Sequence, residues 1–183
     1  AVEYGARLAS LFNSEIILVH AFALPLAGYD SITPVTVIGE IQQAALTALD
    51  TIREKLIKTA GFDRGITCVA EPGTGVGVIS DVADRYSADL VVMGMVGDAG
   101  FLKKHLIGSN ALDAARNMKL PVLIVPEQAA YKQINKMSLA FDMLPGENSK
   151  LFYSARYFAK ALGAKLEIVH VQKEAGESWD TIQ

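Results

Sequence analysis

Asp89–Pro126 reads DLVVMGMVGDAGFLKKHLIGSNALDAARNMKLPVLIVP. Leu90–Met93 and Val122–Val125 are short unbroken apolar runs with β-branched residues. Runs of that length suit strands buried on both faces of a parallel sheet. Between them lie Gly94, Gly97, Gly100 and Gly108-Ser109, then Asn110–Lys119 with apolar residues at helical spacing. The stretch therefore reads strand, glycine loop, helix, strand. In an open α/β sheet, a glycine loop between the carboxyl end of a strand and a helix amino terminus is where anions and nucleotides bind.

VVMGMVGDAGFLKKHLIGS followed by PVLIVP resembles the universal stress protein family. Its nucleotide-binding members carry G-x2-G-x9-G-[S/T] between the fourth and fifth strands of a five-stranded parallel sheet. Gly94-x2-Gly97 matches the first part and Gly108-Ser109 the last; the spacer Asp98–Ile107 holds ten residues where the family pattern has nine. The resemblance implies an open parallel sheet with helices on both faces, the HUP or adenine nucleotide α-hydrolase-like arrangement. It also implies phosphate and ribose contacts for Gly94, Gly97, Gly108 and Ser109. The family opens on a strand that lies in the middle of its sheet, whereas this chain opens on a helix, so the first strand of the first repeat is expected to be absent.

Upstream, the elements alternate. Ala1–Phe12 has helical spacing of apolar residues, and Glu15–His20 (EIILVH) reads as a buried strand. Ala21–Ile38 is a long apolar connection, and Gly39–Ala60 a helix with Gly61 suited to its C′ position. Gly65–Glu71 reads as a strand. Pro72-Gly73-Thr74-Gly75-Val76-Gly77 follows as a strand-to-helix turn needing positive φ at one or two glycines, and Val78–Tyr86 as a helix. Strict alternation argues for a parallel sheet covered on both faces.

After Pro126 the pattern restarts. Lys136–Met143 reads as a strand, Pro145–Ser149 as a turn, Leu151–Leu162 as a helix and Lys165–Val171 as a strand. Tyr4-Gly5-Ala6-Arg7 matches Tyr153-Ser154-Ala155-Arg156, and Leu18-Val19-His20 matches Ile168-Val169-His170. A repeat period of a whole domain means tandem copies. The expected organisation is a first repeat over residues 1–127, a linker over 128–135 and the start of a second repeat over 136–183. An alternative, in which Lys136–Met143 fills the first sheet, meets the short linker Glu127–Asn135, since a parallel return usually takes a dozen or more residues.

Composition excludes several classes. The chain has 183 residues, 51% of them hydrophobic, and a formal net charge of −3. That is neither disordered nor basic enough for nucleic acid. Cys68 is the single cysteine, so no internal disulfide can close, and a reducing cytoplasmic compartment fits. Ile16–Ala27 is apolar but too short to cross a bilayer, and Ala1–Ser10 lacks the features of a secretory signal.

The resemblance implies a stress-response regulatory protein whose ligand is an adenine nucleotide, ATP first, with AMP and ADP as alternatives and Mg2+ arriving with it. The alternative functions are an interaction or dimerisation module of the same fold without nucleotide and, behind it, an adenylating enzyme. Glycines at Gly94 and Gly97 let backbone approach a ligand closely. Gly108 and the amides of Ser109 and Asn110 present donors at a helix start, where the dipole favours anions. Lys103 and Lys104 would add positive charge. The alternative for Ser109 or Asn110 is a simple helix cap. His20 and His170 occupy matching strand ends and read as structural, without ligand spacing around them. Asp142 matches the family's first-strand aspartate, within the second repeat. There is no GxSxG, Walker GKS/T or HExxH, so neither a catalytic residue nor a protein-held metal is expected. Pro121–Pro126 would be an outer strand, and an exposed apolar edge needs cover. The resemblance implies that two such strands pair, giving a homodimer or a pseudo-dimer between repeats.

Overall fold

The computed structural model describes residues 1–24, 35–62, 64–95, 109–140 and 148–170, with backbone alone at 109 and 148–150. The elements are α1 (Val2–Phe12), β1 (Ile16–Phe22), α2 (Val35–Ala60), β2 (Ile66–Pro72), α3 (Gly75–Arg85), β3 (Val91–Gly94), α4 (Ser109–Asn117), β4 (Val122–Val125), β5 (Lys136–Ala140), α5 (Asn148–Leu162) and β6 (Lys165–Val169). The chain divides into two compact units, Ala1–Tyr131 and Lys132–Gln183.

All described pairing is parallel, as the alternation of strands and helices requires. In the first unit β1 pairs with β2, Ile16 opposite Ile66 through Phe22 opposite Pro72. β3 pairs with β4, Val91 opposite Val122 through Gly94 opposite Val125. Among the described residues no ladder joins β1 to β3. In the second unit β5 pairs with β6, Lys136 opposite Lys165 through Ala140 opposite Val169.

The core of the first unit lies between β1–β2 and the helices α1 and α2. Ala6, Leu18, Phe22, Leu49, Leu56, Phe62 and Ala70 form one buried cluster. Leu56 and Phe62 are each only 1% exposed. Burying a side chain of that size is worth about 1.5–3 kcal/mol. A second cluster, Val69, Val78 and Val82, packs α3 against the other face, with Ile17 and Val19 of β1 alongside. Odd and even residues of β1 thus serve opposite faces, which is why Ile16–Val19 is apolar throughout. α1 also reaches β3: a β-carbon at Gly5 would lie 3.6 Å from Val92. Gln42 of α2 donates from Nε2 to the Ala70 carbonyl of β2 at 2.9 Å. Tyr131, after β4, meets Tyr4 of α1 edge to face, ring centroids 5.1 Å apart.

Several element boundaries differ from the sequence reading. α2 starts at Val35, four residues before Gly39, so Gly39 sits inside a helix despite its low propensity. β2 runs on to Pro72 and α3 begins at Gly75, so the turn shrinks to Gly73 and Thr74. One glycine there has positive φ, Gly73 at +146°. A β-carbon on it would also lie 2.8 Å from Val78 Cγ2. α4 stops at Asn117 and α5 starts at Asn148. Of the strand read over Lys136–Met143, the last three residues lie outside the described residues. β6 ends at Val169; Val171 also lies outside them.

The exits of α1 and α5 share a local geometry. Asn13 after α1 and Gly163 after α5 both adopt left-handed backbone, with φ of 58° and 65°. Asn13 N–H donates to Ser10 and Ser14 N–H to Ala9; Gly163 N–H donates to Lys160 and Ala164 N–H to Ala159. These are the two bonds of a Schellman motif.

Candidate functional site

Parallel pairing puts the carboxyl ends of β1 and β2 together, and likewise those of β3 and β4. At the first pair the ladder continues into the turn, with Gly73 N–H donating to the Phe22 carbonyl at 3.0 Å. At the second, Met95 N–H donates to the Val125 carbonyl at 2.9 Å. Gly94 ends β3 with Ala1 beside it, 3.4 Å from where a β-carbon would stand. Of the expected nucleotide-binding residues, Gly94, Ser109 and Asn110 fall within the described chain. Gly97, Gly108, Lys103 and Lys104 lie outside the described residues, as does Asp142.

Ser109 is the first residue of α4, as the helix-start reading requires. Asn110 is exposed, in the first turn. Its Nδ2 lies 3.6 Å from the position of a β-carbon on Gly75, the first residue of α3. The amino ends of α3 and α4 therefore adjoin. Thr74, the N-cap of α3, makes no side-chain capping bond. The first N–H groups of a helix have no partner inside it, and the helix dipole adds partial positive charge at that end. Two such ends side by side make a locality suited to an anion. Reading the PGTGVG stretch as a turn does not bring this adjacency out, because only the fold sets the second βα connection beside the start of α4.

Near the turn, Arg85 of α3 grips Glu71 of β2 with two bonds, Nη1 to Oε1 at 2.5 Å and Nη2 to Oε2 at 3.1 Å. This guanidinium holds the Glu71 carboxyl below the usual glutamate range. A separate cavity of about 560 Å³ opens between the start of α1, the end of α2 and the segment after β4, with Glu3, Arg7, Lys55 and Tyr131 in its wall. Lys55 Nζ and Glu3 Oε1 pair across it at 2.7 Å, and the lysine lowers the Glu3 carboxyl.

His20 lies near the end of β1, exposed, opposite Ala70. Among the described residues no group of three His, Cys, Asp or Glu side chains could hold a metal. Cys68 is a free, half-buried thiol. Burial pushes its pKa up, and the neighbouring Asp50 adds to the shift. It therefore stays protonated at neutral pH and is a poor nucleophile.

Comparison with known proteins is decisive at the family level. The model of the universal stress protein family matches residues 1–126. The chain belongs to the universal stress protein family. A universal stress protein from Archaeoglobus fulgidus DSM 4304 is similar over 94% of this chain and 62% of its own, at 22% identity and a TM-score of 0.71. A universal stress protein family member from Burkholderia pseudomallei is similar over 68% of this chain and 83% of its own, at 15% identity and a TM-score of 0.51. A universal stress protein solved in complex with cAMP is 27% identical over 69% of this chain and 84% of its own, with a TM-score of 0.45. No curated protein matches the chain. Among the described residues no helix is long and apolar enough to cross a membrane.

Proposed function

We propose that this universal stress protein is a cytoplasmic regulatory protein that binds an adenine nucleotide, ATP in preference to ADP or AMP, at the carboxyl ends of β3 and β4. The observation that carries the reading is the meeting of two helix amino ends, with Asn110 of α4 against Gly75 of α3. Phosphates would take N–H donors from Gly108, Ser109 and Asn110. Gly94 and Gly97 would allow close backbone approach, and Lys103 and Lys104 would balance the charge. The residues present fit such a group: they offer backbone amides and small side chains, which suit phosphate oxygens. Mg2+ would arrive bound to those phosphates, since it usually takes few protein ligands. The nucleotide would act by changing conformation or assembly, and no residue is assigned a catalytic role.

The test is native mass spectrometry of gently purified protein, with calorimetry for ATP, ADP and AMP. A co-purifying adenine nucleotide, lost in Gly108→Val and Ser109→Ala, supports the proposal. Calorimetry silent for all three nucleotides refutes it. Retention unchanged in both variants moves the site elsewhere.

For assembly, we propose that Pro121–Pro126 pairs with a second such strand, in another copy or in a second repeat. Among the described residues β4 pairs only with β3. A free edge of Val, Leu, Ile and Val calls for cover. Light scattering would show a dimer. A monodisperse monomer at high concentration with that strand open to solvent counts against it. The division into 1–127, 128–135 and 136–183 is proposed on the same footing, as one repeat, a linker and the start of another.

A further inference from the structure

We draw no further inference here: the strongest candidate, the unpaired edges of β1 and β3 beneath α1 in the first unit, restates the central strand of the family's sheet, and nothing in the structure shows any other occupant.

Discussion

Asn110 and Gly75 face each other across the two helix starts: the asparagine Nδ2 lies 3.6 Å from the place a β-carbon on the glycine would take. That is ordinary van der Waals distance, so one methyl fits and a larger side chain does not. Gly75→Ala should fold normally and gain about 0.4–1 kcal/mol from a stiffer unfolded chain. Gly75→Leu should displace Asn110 and weaken nucleotide binding by roughly tenfold, a loss of about 1.4 kcal/mol. Calorimetric titration of both variants checks this. Equal affinity in the two would show that the adjacency has no part in binding.

Gly73 should not tolerate a side chain. Its φ of +146° is one L residues rarely adopt, and a β-carbon would meet Val78 Cγ2 at 2.8 Å. Backbone strain of this kind costs on the order of 1–3 kcal/mol. Gly73→Ala is expected to lower Tm by roughly 2–10 °C for a chain of this size. Gly73→Ala made in a Val78→Ala background should cost less than in the parent chain, since the steric part is then gone and the φ part remains. Differential scanning calorimetry separates the two.

Leu56 anchors the α2 face of the core at 1% exposure. Leu56→Ala should cost about 2–5 kcal/mol through lost burial and the cavity left behind. Leu11 lies on a neighbouring helix but is 60% exposed. Leu11→Ala should stay within about 0.5 kcal/mol of the parent chain. Urea titrations of the two variants would show whether the core is where the structure puts it.

The Glu71–Arg85 pair gives stability a direction with pH. The folded Glu71 pKa is lowered from 4.5, chiefly by its hydrogen bonds with Arg85. The pair's contribution is therefore present above the ordinary glutamate pKa and is lost as pH falls through the folded value. The stability gap between the parent chain and Glu71→Gln should be widest near neutrality and close as pH falls from the ordinary glutamate value through the lowered folded one. Because the groups face solvent, 1 M salt should narrow it as well. A gap that ignores both pH and salt would mean the bond acts through packing.

Much of the fold was legible because buried strands leave an unmistakable mark. Ile16–Val19 is apolar on both faces because α1 and α2 cover one and α3 the other, and Val91–Met93 and Val122–Val125 are unbroken apolar runs of the same kind. The ends of α1, α2 and α5 fall at Phe12, Ala60 and Leu162 as read, and left-handed Asn13, Gly61 and Gly163 follow them. The start of α2 was read late because Gly39 looked like a boundary, whereas its long apolar face outweighs one poor helix former. At the site, the spacing of Gly94 and Ser109 marked the βα connection correctly. The neighbour across it, Gly75, could not be read from local pattern, because only the fold brings the two connections together.

Gln42 has a consequence for register. Apolar contacts hold α2 on β2 by close packing but carry no direction of their own. The directional bond from Gln42 Nε2 to the Ala70 carbonyl is satisfied at a single axial position. It acts as a polar key for the seam, marking the register in which the helix and the strand interlock.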